Sequence, residues 1–139
     1  MANTLMIDTN VFLDFLLDRE GFSNDAETIL KASANRIIRA CICPNSVCDI
    51  FYIHNKYVKN INLTYEMLGI ILKCVTVAPL MGIDILKAYD SKAKDFENHV
   101  IGEAAIASKC DGIITRDKEG FEGLNIPIYT PKEAIEKFL

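Results

Sequence analysis

The stretch Thr4-Leu5-Met6-Ile7-Asp8-Thr9-Asn10 decides the fold of this chain of 139 residues. Its first four residues form a short apolar run that ends abruptly at polar residues, as buried strands of parallel sheets do. The segment Val11–Leu17 that follows has helical character. A buried strand that leads at once into a helix is the start of a βαβ unit, and it places Asp8 at the carboxyl end of the strand.

The rest of the chain continues this alternation of short apolar runs and helical segments. We predict further strands within 36–43, 74–78, 112–115 and 127–129. Helices are predicted from Ser23, from Ser46, and over 63–72, 82–91, 95–109 and 132–138. The alternation predicts a parallel sheet covered by helices on both faces. Such sheets bind ligands outside the carboxyl ends of their strands, so the residues after each strand are the candidates for chemistry.

Composition limits the classes of protein that the chain can belong to. The length fits one domain over residues 1–139, and a hydrophobic fraction of 50% excludes disorder. No apolar run approaches the roughly twenty residues of a membrane span, and Met1-Ala2-Asn3-Thr4 lacks the basic start of an export signal. Five cysteines without CxxC spacing then predict reduced, mostly buried thiols in a cytoplasmic protein.

The charge balance bears on nucleic acid as a partner. The chain has 15 Lys+Arg and 19 Asp+Glu, which gives a formal net charge of −4. This balance argues against a protein that coats nucleic acid through bulk positive charge. It does not argue against an enzyme that holds nucleic acid locally.

Four aspartates stand where strands end or where neighbouring helices begin: Asp8, Asp49, Asp95 and Asp117. If the strands are parallel, these residues can converge at one rim of the sheet. Clustered carboxylates repel one another unless protons or cations compensate them. The usual cation for an all-oxygen site without His or Cys is Mg²⁺ or Mn²⁺, and these ions suit phosphoryl chemistry.

Each of these aspartates also has a purely structural interpretation. Asp8 and Asp95 could cap the helices that follow them. Asp49 comes three residues after Ser46 and could complete a capping box, and Asp117 could be an ordinary turn residue. The position of one aspartate therefore decides nothing, whereas four at the expected positions favour a shared site.

These segments resemble, in the same order, those of the PIN domain family. The stretch 5–14 resembles the opening of that domain, and 44–52, 95–100, 110–117 and 126–134 resemble its later segments. The resemblance spans nearly the whole chain. It implies a three-layer α/β/α fold with a parallel sheet of about five strands in the order 3-2-1-4-5. It also implies an endoribonuclease that depends on Mg²⁺ or Mn²⁺, and many bacterial members of this size are VapC-like toxins of toxin–antitoxin pairs.

The resemblance assigns roles to particular residues. It implies that Asp8, Asp95 and Asp117 hold the cation, with Asp49 completing the catalytic set. Four further polar residues are expected to orient the carboxylates or a phosphate: Asn10, Ser46, Asn98 and Thr115. For Ser46, helix capping is an equally good interpretation.

One departure from the family pattern concerns the third acidic segment. Asn98 and His99 stand where the family has Asp followed by Ala, and Asn98 offers at best a neutral oxygen ligand. Asp95 lies one helical turn earlier on the same face and could supply the missing carboxylate. An alternative therefore stays open, namely a weakened or inactive PIN-like domain that binds RNA or a protein partner.

Basic and aromatic residues are the candidates for contacts to a substrate. The candidates for RNA phosphates flank the third and fourth acidic segments: Lys92, Lys94, Arg116 and Lys118. A solvated basic face is their alternative. Tyr52, Tyr57, Phe96 and Phe121 are candidates for stacking on bases, although core packing is favoured for most of them. The implied partners are RNA, a cognate antitoxin and a second copy of the chain, with no membrane.

Overall fold

The computed structural model describes residues 2–139. Five strands and seven helices form over these residues. In chain order they are β1 (Thr4–Ile7), α1 (Thr9–Leu16), α2 (Ser23–Ala34), β2 (Arg39–Ile42), α3 (Pro44–Val58), α4 (Ile61–Cys74), β3 (Thr76–Val77), α5 (Gly82–Ser91), α6 (Phe96–Ala107), β4 (Gly112–Ile114), β5 (Ile128–Tyr129) and α7 (Pro131–Phe138). A 3₁₀ turn, Glu119–Phe121, follows β4.

The five strands form one parallel sheet in the order β3-β2-β1-β4-β5. This order confirms the prediction. β1 lies at the centre, with Leu5 beside Ala40 of β2 and Ile7 beside Ile114 of β4. The chain adds β2 and β3 on one side of β1 and later adds β4 and β5 on the other. The carboxyl end of β1 is therefore the point where the winding direction changes, and ligands of such sheets bind there.

The sheet separates two apolar clusters, because consecutive side chains of a strand point to opposite faces. Leu5 and Ile7 of β1 pack into the larger cluster, which includes residues of α1, α2, α4 and α7. Met6, between them, packs into a second cluster with Ile101 of α6 and Phe121. This arrangement is the predicted three-layer α/β/α architecture.

Several predicted elements have different limits in the structure, and α3 and β2 show why. α3 begins at Pro44 rather than at Ser46, because proline is well suited to the first position of a helix. Ser46 therefore lies inside the first turn and does not cap the helix. β2 begins at Arg39 rather than at residue 36, because Arg36 adopts a left-handed turn (φ 62°) after α2.

The thiols are less uniformly buried than predicted. Cys41 and Cys43 are buried in the sheet, whereas Cys74 and Cys110 are half-buried and Cys48 is exposed on α3. All five are free thiols. The expectation of buried thiols is therefore correct only for Cys41, which lies in β2, and Cys43, which follows it.

Helix α5 has an unusually apolar surface. Only Asp84 and Ala88 of this helix are buried, whereas Ile83, Leu86 and Tyr89 are each more than half exposed. Within residues 2–139, no helix is both long enough and apolar enough to cross a membrane. The exposed apolar side chains of α5 therefore lie on a short surface helix.

Candidate active site

Asp8 is fixed at the carboxyl end of β1 by bonds to β4. Its backbone N–H donates to the carbonyl oxygen of Ile114 over 3.0 Å, which extends the strand pairing by one residue. The Thr115 hydroxyl donates to Oδ2 of Asp8 over 2.8 Å. Both side chains are buried, and Thr115 is fully so. The structure thus places Thr115 where it orients the Asp8 carboxylate.

The surroundings of Asp8 oppose its negative charge. Burial raises the pKa of Asp8 above its ordinary value, and the negative charges of Asp117 and Asp95 raise it further. Hydrogen bonds from the Thr115 hydroxyl and the Thr9 backbone act in the opposite direction without cancelling the rise. An ionised Asp8 is therefore held against its electrostatic preference, and a cation beside it would relieve the cost.

Asp8 opens into a cavity of about 430 Å³ at this end of the sheet. Two other predicted aspartates, Asp49 of α3 and Asp95 at the start of α6, also line the cavity. The remaining lining residues are Thr9, Asn10, Leu13, Tyr52, Ile53, Glu97 and Asn98. Segments far apart in the sequence thus bring carboxylates together, as the parallel topology predicts.

Glu97 belongs to this acidic wall, although it is not among the residues predicted from the sequence. The pKa of Glu97 is raised to about 7, chiefly by hydrogen bonding with the neighbouring Asp49 carboxyl. Partial burial and the charges of Asp49, Asp95 and Asp8 contribute to the rise. The available signal was the position of Glu97 in the first turn of α6, two residues after Asp95.

Asp95 has both of the roles that its position in the sequence left open, as a helix cap and as a residue of the site. Its Oδ1 accepts the backbone N–H of Asn98 over 3.0 Å, so Asp95 caps α6. The same side chain lines the acidic cavity. The cap fixes the carboxylate at the mouth of the site, so the structural role also positions the residue for chemistry.

Asp117 lies beside the cavity rather than among its lining residues. Its backbone N–H donates to the Thr115 hydroxyl over 2.9 Å, and its Oδ1 accepts the N–H of Gly120 over 3.2 Å. The side-chain amide of Asn98 donates to Oδ2 of Asp117 over 3.3 Å. Asn98 therefore acts here as a hydrogen-bond donor to the fourth aspartate. Through Thr115, Asp117 is linked to the buried carboxylate of Asp8.

A buried hydroxyl pair joins the first strand end to α3. The side-chain oxygens of Thr9 and Ser46 are 2.7 Å apart, and Ser46 is fully buried. Ser46 thus holds α3, and with it Asp49, against the end of β1. Thr9 was not among the predicted site residues, although it stands within the Asp-Thr-Asn motif. Asn10, which was predicted, is exposed and lines the cavity.

The structure gives Arg116 a different role from the predicted contact with an RNA phosphate. Its guanidinium forms two bonds with the buried carboxylate of Asp14, of 2.7 and 2.9 Å, and lies 3.8 Å from the ring centroid of Phe22. A cavity of about 480 Å³ adjoins Arg116, and within residues 2–139 Asp25 is the only carboxylate that lines it. The arginine is thus committed to a structural ion pair and does not present an unpaired guanidinium to RNA.

The three predicted lysines are all exposed. Nζ of Lys118 is 2.6 Å from the Glu133 carboxylate, in a surface pair that solvent weakens. Nζ of Lys92 lies 3.4 Å from the ring centroid of Tyr89. Lys94 lies immediately before the cavity-lining Asp95 in the chain. Within residues 2–139 it forms no ion pair.

The donor set of the cavity suits a hard divalent cation. Its charged lining residues are all carboxylates, with the amide oxygens of Asn10 and Asn98 nearby. The described part of the chain contains no ready-made group of three or more His, Cys, Asp or Glu side chains arranged around one ion position. Mg²⁺ commonly keeps several waters and binds one or two carboxylates together with substrate phosphate. An open acidic wall around a buried Asp8 fits that mode of binding.

Comparison with known proteins identifies the family. A family model described as PIN domain matches residues 4–119. The chain belongs to the PIN domain family. No curated protein matches this PIN domain chain. Among solved structures it is similar to the crystal structure of VapBC2 from Rickettsia felis bound to a DNA fragment from their promoter. The TM-score is 0.68 at 14% identity, over 91% of this chain and 98% of that chain. At this identity the similarity concerns the fold alone.

Proposed function

We propose that this PIN domain is an endoribonuclease that hydrolyses RNA phosphodiester bonds with Mg²⁺ or Mn²⁺. The observation that carries the proposal is the convergence of Asp8, Asp49, Asp95 and Glu97 on one cavity at the centre of the sheet's carboxyl edge. Burial and neighbouring charges raise the pKa of Asp8, and the acids are left without basic partners among the lining residues. Such a wall is poorly suited to an anionic substrate unless a cation intervenes.

Asp8 and Asp95 are the residues that we expect to hold the cation, with Asp117 beside them. When bound, Mg²⁺ or Mn²⁺ promotes deprotonation of an attacking water and offsets the charge of the scissile phosphate. The chain contributes the positioning. The Thr115 hydroxyl orients Asp8, and the Asn98 amide orients Asp117. Glu97, whose pKa is raised to about 7, can carry a proton on the cavity wall beside Asp49.

Binding of the RNA backbone requires positively charged side chains outside the acidic cavity. We propose Lys92, Lys94 and Lys118 for this role, and we remove Arg116 from the predicted set because Asp14 occupies its guanidinium. The pair between Lys118 and Glu133 is exposed, so a phosphate can replace the carboxylate at little cost. These contacts would position the strand without reading its sequence.

The deciding experiment is cleavage of single-stranded RNA in the presence of Mn²⁺. The wild-type chain should cleave, chelation by EDTA should stop it, and Asp8→Asn should lower the rate at least a hundredfold because the isosteric amide is neutral. Asp90→Asn is the matched control, since Asp90 is an exposed aspartate of α5 that does not line the cavity. Undiminished cleavage by Asp8→Asn would overturn the proposal.

A second candidate function rests on Asn98, which stands where the family pattern has an aspartate. Its amide donates to Asp117, so this position adds no negative charge to the site. In this alternative the domain is weakened or inactive and binds RNA or a protein. Asn98→Asp distinguishes the two: a wild type that binds RNA without cleaving it, together with cleavage gained by Asn98→Asp, would favour the alternative.

We also propose a protein partner, either a cognate antitoxin or a second copy of the chain, in the cytoplasm. The similarity of fold to VapBC2 supports an antitoxin. The exposed Ile83, Leu86 and Tyr89 of α5 support a protein contact on that helix. Light scattering on the purified chain would measure its molar mass. A monomer that also fails to associate with the product of an adjacent small gene would contradict the proposal.

A further inference from the structure

Tyr52 is an exposed aromatic residue in the wall of the acidic cavity. It lies three residues after Asp49 on α3, so both side chains project from the same side of the helix. The side chain is 66% exposed and nevertheless lines the cavity beside Asp8 and Glu97. Core packing, which the sequence favoured for most of the four candidate aromatic residues, does not apply to Tyr52. Its ring is available to a ligand that enters the cavity.

A positive charge accompanies this ring. Lys56 lies one turn further along α3, with Nζ 5.9 Å from the ring centroid of Tyr52. Over the part of the chain that the structure describes, no carboxylate forms an ion pair with Lys56. An aromatic ring that lines the cavity and an ammonium group one turn away thus lie next to each other on α3. A nucleotide carries the two complementary groups, namely a flat base and a backbone phosphate.

We propose that Tyr52 and Lys56 form a nucleobase subsite beside the cavity. The base of a nucleotide next to the scissile phosphate stacks on the Tyr52 ring, and Lys56 contacts the phosphate of the same nucleotide. Bases of any kind stack on aromatic side chains, so the subsite favours an unpaired base rather than a particular sequence. A paired base is held within its helix and cannot reach the ring. The inference rests on the proposed ribonuclease function and assigns to Tyr52 and Lys56 the contacts with one nucleotide beside the cleavage point.

Tyr57 provides a matched control for this subsite. It is a tyrosine of the same helix and is 76% exposed, but it does not line the cavity. Replacing it removes an exposed ring from α3 without touching the site. Tyr52→Phe is the complementary variant, because it keeps the ring and removes only the hydroxyl.

The test measures kcat and KM for a labelled single-stranded RNA dodecamer and for a set of dodecamers with one abasic residue placed at each position in turn. Stacking of one base predicts a KM about five- to a hundredfold higher for Tyr52→Ala on intact RNA. The abasic RNA that lacks the stacked base should show the same rise with the wild type and no further rise with Tyr52→Ala. Tyr52→Phe should restore the wild-type KM, and Tyr57→Ala should leave it unchanged.

The possible results separate this inference from the ribonuclease proposal. Cleavage by the wild type with an unchanged KM for Tyr52→Ala would overturn the subsite alone. The same would follow if Tyr52→Ala raised the KM equally for intact RNA and for every abasic RNA, since that indicates a structural effect. If the wild type does not cleave, the ribonuclease proposal fails, and fluorescence anisotropy of the same RNAs then decides the subsite. Weaker binding of intact RNA by Tyr52→Ala would support it, and equal or absent binding would overturn it.

Discussion

Asp14 is a buried carboxylate whose charge is compensated mainly by Arg116. The side chain is 1% exposed and accepts two bonds from Arg116, while Arg19 approaches it at 3.2 Å. Removing one partner of a buried ion pair leaves a desolvated charge. Since Arg19 remains and Arg116 is partly exposed, we expect Arg116→Ala to lower the free energy of unfolding by about 1–3 kcal/mol. Urea denaturation of the purified variants measures this change.

The control for this prediction is the neighbouring exposed pair of Lys118 and Glu133. Both side chains are about half exposed, so Lys118→Ala should not measurably change the unfolding midpoint. The two variants together test the distinction between a structural arginine and a surface lysine. Equal midpoints for Arg116→Ala and Lys118→Ala would show that the buried pair does not contribute as the structure implies.

At the scale of elements, the turn after β4 places backbone close to two site residues. A Cβ atom added to Gly120 would lie 2.3 Å from Nδ2 of Asn98 and 2.5 Å from Oδ2 of Asp117. Both contacts involve the ends of side chains, which can move without unfolding the domain. We therefore expect Gly120→Ala to displace the pair formed by Asn98 and Asp117 and to lower the cleavage rate more than tenfold. Circular dichroism should show an unfolding temperature close to that of the wild type.

Gly69 gives the comparison for this substitution. It lies in the middle of α4, and an added Cβ would meet nothing within 4 Å. Alanine is favoured over glycine in helix interiors, so Gly69→Ala should raise the free energy of unfolding by about 0.5–1 kcal/mol and leave cleavage unchanged. Loss of cleavage in both variants, or in neither, would contradict the contact assigned to Gly120.

The same elements show what the sequence could predict. The order of strands and helices followed from alternating apolar runs, because each strand of a covered parallel sheet is apolar along its length. The alternation also placed Asp8 and Asp49 in one site. It did not single out Glu97, because a position in the first turn of a helix is compatible with a side chain that faces either the cavity or solvent. It also could not separate Arg116 from the lysines, because the buried partner Asp14 is 102 residues away in the chain.

On the scale of the whole molecule, the acidic cavity lies at the point where the winding of the sheet changes direction. The four predicted aspartates equal in number the chain's net charge of −4, and Glu97 adds a further acid to the same region. In the absence of a cation, this concentration of negative charge lowers the stability of the folded state, because Asp8 is buried and its acidic neighbours repel it. The apolar core on both faces of the sheet must offset this electrostatic cost. Stability and the proposed activity therefore place opposite demands on the charge of Asp8.

This opposition predicts the thermal behaviour of Asp8→Asn. Because the pKa of Asp8 is raised, its ionised form near neutral pH costs stability that a neutral amide does not. Without metal, Asp8→Asn should therefore melt at a higher temperature than the wild type. Mn²⁺ at ten times its Kd should raise the wild-type melting temperature by about 3–5 °C, since binding then contributes about 1.4 kcal/mol.

The same measurement on two variants completes the test. Asp8→Asn should lose most of the Mn²⁺ shift, because its amide cannot match a carboxylate as a ligand. Asp90→Asn should keep both the wild-type melting temperature and the wild-type shift. A metal-free Asp8→Asn that melts below the wild type, yet responds fully to Mn²⁺, would mean that Asp8 stabilises the sheet edge and that the cation binds elsewhere.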